Sequence, residues 1–491
     1  MNGETLTYAE LDIRINQLAN GLLEHGVRPG DRVALLAMNC LDYAVVAYAV
    51  AKCGCVLVPV NFRFQHGELV YVINNSSPAM LFVGSEFAQL VSEATTGFKS
   101  NPAIVSMTDE AIDGGTTLAA LRANGRETEP GIEVDPSSAA MIMYTSGTTG
   151  FPKGVLFSHA ANLAVAQGLV IEGDMDRDDV VLISVPMFHN AGLNVLLLPC
   201  LMMGATSHIM GSGFDPVKIM AAVAEHRISL TLWVPTMLAM LVDHKAVGNY
   251  DLGSLRKIWY GSSPISRRVL DASMRLFDAG FYQFYGQTES GMNSVLRPED
   301  HAQRSQFTGR EMVNAELRIV DENGDDVADG GVGEVIIAQK PLGMIGYYGD
   351  EAATREVVRG GWIYSGDLAR VEGGGYFTII DRKRDMIISG AENIYPKEVE
   401  DVIAGHPAVR EVSVFGIPHD TYGESVCAAV VLQDGQTTSE EEIIAFCERK
   451  ISHYKRPRAV EFHDELPKNA SGKITKNRLR EPHWMEEAKR V

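Results

Sequence analysis

Between Tyr144 and Gly154 the chain reads Tyr144-Thr145-Ser146-Gly147-Thr148-Thr149-Gly150-Phe151-Pro152-Lys153-Gly154. Glycine takes backbone conformations closed to other residues, so successive N–H groups near Gly147 and Gly150 can turn towards one anion. The hydroxyls of Thr145, Ser146, Thr148 and Thr149 add donors, and Lys153 adds a positive charge. That chemistry suits a triphosphate. The loop is not a Walker A sequence, because Lys153 stands three residues after Gly150 instead of between a glycine and a Ser or Thr. Taken alone, the same composition also makes an ordinary polar turn.

Six further motifs follow in order: Pro186-Met187-Phe188-His189, Tyr285-Gly286-Gln287-Thr288-Glu289, Tyr364-Ser365-Gly366-Asp367, Asp381-Arg382-Lys383-Arg384-Asp385, Ser389-Gly390-Ala391-Glu392-Asn393-Ile394-Tyr395-Pro396 and Pro467-Lys468-Asn469-Ala470-Ser471-Gly472-Lys473. With the Ser/Thr/Gly loop at their head, they resemble the motifs of the adenylate-forming superfamily. That superfamily includes acyl-CoA and aryl-CoA synthetases, firefly luciferase and peptide-synthetase adenylation domains. The resemblance covers nearly the full chain.

It implies a role for each position. Thr145, Ser146, Gly147, Thr148, Thr149, Gly150 and Lys153 would hold the phosphates of ATP. Tyr285 would stack on adenine, beside Gly286 and Gln287, and Ser262, Ser263 and Pro264 would line the same site. Thr288 would contact the α-phosphate and Glu289 would bind Mg²⁺, since a hard cation prefers carboxylate oxygen plus phosphate. Asp367 would accept hydrogen bonds from the ribose, with Arg382 assisting and Ile379 nearby. Lys473 would bridge the attacking carboxylate and the nucleotide. Arg384 falls at the hinge, where the family usually has Lys or Asp. Ser389, Gly390 and Ala391 would line the pantetheine tunnel of coenzyme A. His189 would gate an acyl pocket formed with Asn190, Ala191, Gly192, Trp233, Val234, Met237, Tyr260, Gly261, Gly286 and Met292. Read without the family, Glu289 is a solvated acid, Asp367 caps a turn, and His189, Trp233 and Tyr260 are core residues.

A carboxylate is a poor electrophile and repels a triphosphate. Lys153, Lys473, Mg²⁺ and loop N–H groups would offset that repulsion by fixed electrostatics. The expected activity is an AMP-forming acid–CoA ligase: acid and ATP give acyl-AMP and pyrophosphate, then a thiol displaces AMP. No GxSxG elbow supplies a protein nucleophile. The expected pocket residues are mainly apolar and small, without an Arg or Lys for a second carboxylate, so a fatty or aromatic monocarboxylic acid is expected. Three alternatives stand beside this: an adenylation enzyme that loads a carrier-protein thiol, an oxidative luciferase-like enzyme, for which nothing in the sequence calls, and a catalytically silent nucleotide-binding protein.

These residues need a scaffold. Thr7 and Glu10 have the spacing of a capping box, and Leu11, Ile15, Leu18 and Leu22 recur at helical spacing up to Gly26. Strand-like runs at Arg32–Met38, Val56–Val60 and Met80–Val83 alternate with helical patterns, the rhythm of a parallel α/β fold. After a polar stretch at Asp109–Pro136 it resumes from Ala139. From Asn314 short β runs and glycine turns take over, and a smaller α/β block follows Pro396. The expected architecture is a large N-terminal domain of β-sheets packed with helices, carrying a distorted β-barrel subdomain (1–382). A small mobile α+β C-terminal domain (383–491) is expected to bear Lys473.

The 491 residues carry a formal charge of −20, which disfavours nucleic acid as a partner. Yet Arg449–Arg480 holds ten basic and three acidic residues, a local cationic face suited to polyphosphates. Six cysteines form no disulfide framework and point to a reducing compartment, the cytoplasm. No transmembrane segment is expected, and a homodimer is compatible with the family. Family members usually carry more residues before a segment like Thr7–Leu11, so the expectation is either a truncated chain or a later start.

Overall fold

A computed structural model describes residues 3–112, 114–123, 125–145, 152–211, 213–389, 392–448, 450–468 and 474–488. Ser146, Gly147, Thr148, Thr149, Gly150, Gly390, Ala391 and Lys473 lie outside the described residues.

The chain opens as its local signals dictate. Thr7 Oγ1 accepts from Glu10 N–H at 3.2 Å, and Glu10 Oε2 accepts from Thr7 N–H at 2.7 Å, closing the capping box of helix Tyr8–Glu24. Two large sheets then form. The first has eight strands, with Arg32–Leu36 between the parallel strands Val56–Pro59 and Met80–Val83. The second has twelve; its parallel half contains Val180–Ile183, Leu230–Trp233, Lys257–Gly261 and Gly280–Gln287.

Alternation along these strands builds three apolar layers. Val33 and Leu35 face a central layer, where helices Tyr8–Glu24, Leu41–Lys52 and His159–Glu172 fill the space between the sheets. Ala34 and Leu36 face the outer layer under helix His66–Ser76. On the second sheet Leu232 and Trp259 face the central layer, while Trp233, Ile258 and Tyr260 face helices Pro216–His226, Pro235–Val242 and Arg267–Leu276. The polar stretch is not all loop: Thr116–Thr117 adds an edge strand, and helix Leu118–Ala123 buries Leu118 and Leu121.

Most of the short β runs after Asn314 join the second sheet. Strand Gly291–Leu296 turns back antiparallel on Gly280–Gln287, so the ladder continues through Gly309–Glu311, Tyr376–Arg382, Trp362–Gly373, Val332–Ala338 and Leu317–Val320. Ile319, Val335, Ile337, Ala369 and Phe377 give this antiparallel end its own small core.

A third sheet, of five strands, begins at Ile387. Among the described residues, its two apolar clusters contain none before Ile387. At the junction the contacts are polar. Lys397 N–H donates to Asp381 Oδ2 at 2.8 Å, Lys383 Nζ meets Glu334 Oε2 at 3.1 Å, and Lys476 Nζ meets Glu400 Oε1 at 2.8 Å close to Asp381.

Candidate active site

Thr145, Gly261, Gln287 and Arg382 end their strands, the edge at which open α/β sheets bind ligands, while Lys153 begins one and Asp367 lies within another. Asp367 and Arg382 are direct cross-strand partners, which sets Arg382 Nε 3.2 Å from Asp367 Oδ1. Tyr285 and Gln287 are two residues apart on one strand, so both side chains leave the same face. Tyr285 Oη donates to Asp367 Oδ2 at 2.8 Å, and Gln287 Nε2 donates to the same oxygen at 2.6 Å and to Ser365 O at 2.9 Å. Asp367 is thus buried under three donors. Burial, then the Asp367 charge, holds the Tyr285 phenol well above its ordinary pKa, so it stays a donor. Ile379 N–H donates at 2.8 Å to Oγ1 of Thr308, the residue before the neighbouring strand Gly309–Glu311.

Glu334 was not among the sequence candidates. Its Oε1 accepts from Gly366 N–H at 3.1 Å, fixing the Ser365-Gly366-Asp367 turn, while its Oε2 reaches Lys383. A lone acid in a β run carries no sequence signal for that role.

On the first sheet Thr145 and Lys153 end and begin two antiparallel strands and face each other across the ladder. The backbone on either side of the glycine loop is therefore fixed, with Lys153 at its exit. Lys153 Nζ lies 5.0 Å from the Tyr347 ring centroid, and Tyr347 Oη donates to Glu289 Oε1 at 2.9 Å. Thr288 and Glu289 occupy the turn after Gly280–Gln287. Tyr347 is a second residue that sequence reasoning missed. It sits in no quoted motif, and its two contacts come from different sheets.

Ser262 follows strand Lys257–Gly261 with φ +68°, left-handed backbone that a non-glycine residue rarely adopts. Ser263 is half-buried beside it and Pro264 is exposed. A Cβ on Gly261 would stand 2.2 Å from Phe284 O, one on Gly286 2.1 Å from Gly291 O, and one on Gly192 2.6 Å from Pro186 O. These three positions must be glycine for the backbones to approach so closely.

His189 stands two residues before the wide π-helical stretch Ala191–Leu197, which Asn190 caps. Its ring packs 4.3 Å from Phe188, and its buried Nε2 has no hydrogen-bond partner among the described residues. Burial, with Arg63 nearby, pushes its pKa down to about 4. Asn190 Oδ1 accepts from Asn194 Nδ2 at 2.8 Å, and Met292 is half-buried against the central layer. Trp233 and Tyr260 are different. Both rings are buried on the outer face of the second sheet, Trp233 against Phe277 and Tyr260 with its hydroxyl 2.9 Å from His301 Nε2. Strand alternation points Gly261 away from that face, so the structure does not bring these two rings together with the glycine positions.

Arg384 is exposed, its Nε 3.7 Å from Asp385 Oδ1, and Ser389 pairs with Glu392 and Gly423 in the third sheet. Among the described residues no cluster of three or more His, Cys, Asp or Glu could hold a metal. One carboxylate still fits a cation shared with phosphate oxygens: Glu289 Oε1 is used by Tyr347, and Oε2 has no partner among the described residues.

Known proteins place this geometry in a class. Residues 1–348 match the family model of AMP-binding enzymes, and residues 398–473 match that of the AMP-binding enzyme C-terminal domain. The chain belongs to this family, the adenylate-forming enzymes. It is 37% identical to a feruloyl-CoA synthase of Amycolatopsis sp over 481 residues, 97% of this chain and 94% of that protein. It is 36% identical to the fatty acid–[acyl-carrier-protein] ligase ScoC of Streptomyces coeruleorubidus, covering 100% of this chain and 94% of that one. The fold superposes on the crystal structure of the anthranilate CoA ligase AuaEII in complex with anthranoyl-AMP. The TM-score is 0.92 at 25% identity, over 99% of this chain and 94% of the other.

Proposed function

We propose that the protein is an AMP-forming acid–CoA ligase, using ATP, Mg²⁺ and coenzyme A to activate a fatty or aromatic monocarboxylic acid. The observation that carries this is the convergence of motifs far apart in sequence: Tyr285, Gln287, Asp367 and Arg382 on one side, Lys153, Tyr347 and Glu289 on the other. In this reading Asp367 and Arg382 orient the ribose and Tyr285 carries adenine. Ser262, Ser263, Pro264, Gly286, Gln287 and Ile379 line the same nucleotide. The loop Thr145–Gly150 and Lys153 take the phosphates, and Thr288 takes the α-phosphate. Bound at Glu289, Mg²⁺ would supply charge neutralisation at the phosphates.

The acid would lie at the glycine-lined strand ends, between His189, Asn190, Gly192, Gly261 and Met292. A neutral His189 orients it without adding a second cation. Trp233 and Tyr260 would back this pocket through the sheet instead of facing the acid. Lys473 would bring the carboxylate to the nucleotide. The lobe from Lys383 onward would then turn about Arg384, and Ser389, Gly390 and Ala391 would admit the thiol.

Likeness to ScoC favours one second reading, transfer to a carrier-protein thiol instead of CoA. All six cysteines are free, five of them buried, which fits a reducing cytoplasm. No helix among the described residues is long and apolar enough to cross a membrane. A homodimer belongs to the proposal and is checked by light scattering.

The test is acid-dependent pyrophosphate release over a panel of aryl and aliphatic acids, with and without CoA. Thioester formation with CoA supports the ligase; release that no CoA thioester follows supports carrier loading; no release with any acid sinks both. Lys473→Ala should abolish adenylation while CoA still attacks preformed acyl-AMP. Equal loss in both half-reactions would show that Lys473 does not bridge the carboxylate and the nucleotide.

A further inference from the structure

The segment Met344–Tyr348 is attached to both large sheets. Ile345 N–H donates to Leu156 O and Tyr348 N–H to Gly154 O, each at 2.7 Å, so Gly346–Tyr347 lies as an edge strand on the strand that starts at Lys153. At its other end Met344 N–H donates to Glu289 O at 2.8 Å, in the turn of the second sheet. Tyr347 is anchored in addition by its own N–H, which donates to Thr354 Oγ1 at 2.9 Å. Its side chain spans the two attachments: the hydroxyl donates to Glu289 Oε1 at 2.9 Å and the ring face lies 5.0 Å from Lys153 Nζ. Burial and the neighbouring Glu289 raise the phenol's pKa, so it remains a neutral donor.

Lys153 and Glu289 form no ion pair with each other, although one aromatic ring separates them. An ion pair would neutralise both charges before any ligand arrived. Resting on the ligase reading, we propose that Tyr347 is a positioning residue: its ring keeps the phosphate-side Lys153 apart from the metal-side Glu289, and its hydroxyl orients the Glu289 carboxylate. The hydroxyl occupies Oε1 and leaves Oε2 to face a divalent cation. The ring face holds the ammonium by cation–π attraction, a contact weak enough to yield to a phosphate.

The two functions separate by substitution. Tyr347→Phe keeps the ring and loses only the hydrogen bond to Glu289. Tyr347→Leu loses the ring as well and lets Lys153 close on Glu289. The measurement is calorimetric ATP binding to the full chain, once in EDTA and once in excess MgCl2, with circular dichroism to confirm folding. Tyr347→Phe should bind ATP as the wild type does in EDTA and about tenfold more weakly in MgCl2, the worth of one hydrogen bond to a charged group. Tyr347→Leu should be about tenfold weaker in EDTA too, because its lysine is paired. Equal weakening of Tyr347→Phe in both buffers, no weakening in either, or a Tyr347→Leu that binds like Tyr347→Phe in EDTA, overturns the proposal. A wild type that binds MgATP but activates no acid would sink the ligase reading alone.

Discussion

Asp367 gives the most direct test of how the nucleotide side of the site is held together. It is 4% exposed; Oδ2 accepts from Tyr285 and Gln287, and Oδ1 faces Arg382. Asp367→Asn keeps the shape but only one oxygen. With that oxygen kept on Tyr285 and Gln287, the new amide N–H faces Arg382 Nε, donor against donor. The loss is one charge-assisted hydrogen bond, about 1.5–3 kcal/mol. Arg382 has a side chain 35% exposed, so water replaces part of that bond and the cost falls to about 1 kcal/mol. Asp367→Ala strips the acceptor from all three donors at once. Removing one partner of a buried charged set costs about 3–5 kcal/mol. Urea unfolding should therefore rank wild type, Asn and Ala in that order, with the larger step last. If the same carboxylate holds the ribose, calorimetric ATP binding should weaken about tenfold for Asn, since about 1.4 kcal/mol is a factor of ten. An Ala variant as stable as the wild type would refute the assigned network. Lost stability with unchanged ATP affinity would take the ribose away from Asp367.

Other consequences are as concrete. A Cβ at Gly261 would meet a backbone oxygen of the adjoining strand at 2.2 Å, which no rotamer change relieves. Gly261→Ala should cost about 1–3 kcal/mol in urea unfolding and raise the KM for the acid; a neutral substitution would mean the strands can part freely. His189 has its pKa lowered from 6.5 to about 4, so the unfolded chain protonates first as pH falls. The stability it contributes is complete above pH 6.5 and is lost between there and about 4, at no more than about 1.4 kcal/mol per pH unit. His189→Gln should flatten that slope in urea unfolding followed from neutral pH downwards; an unchanged slope would show that His189 is not buried neutral.

What could be read from the sequence was what neighbours along the chain decide. Thr7 and Glu10 announce a helix start because both partners of the capping box lie within one turn. The apolar runs at Val56 and Met80 announce strands because burial on both faces leaves no polar alternation. The motif residues were legible through the family pattern, yet nothing local says that Tyr285 and Asp367 share a hydrogen bond across 82 positions. Tyr347 and Glu334 stayed invisible because their roles depend on which strands pair. For Trp233 and Tyr260, alternation already separates them from Leu232 and Trp259. Which face holds the acid, however, depends on where the glycines open space, and that is a property of neighbouring strands. Helix Leu118–Ala123 escaped because two buried leucines in a polar stretch make too short a pattern.

The separate apolar clusters of the third sheet bear on how this molecule can change over time. Among the described residues the apolar clusters of this lobe begin at Ile387, and it is joined through Asp381, Glu334, Lys383 and Lys397, so a turn of the lobe would part neither cluster. Each polar group it releases finds water at once, so reorientation meets little desolvation cost. The same construction makes the lobe interchangeable. A C-terminal segment taken from a relative needs to match a handful of polar partners, not a packed interface. If the lobe admits the thiol as proposed, exchanging it would alter the thiol acceptor, provided the new lobe brings a lysine in the place of Lys473.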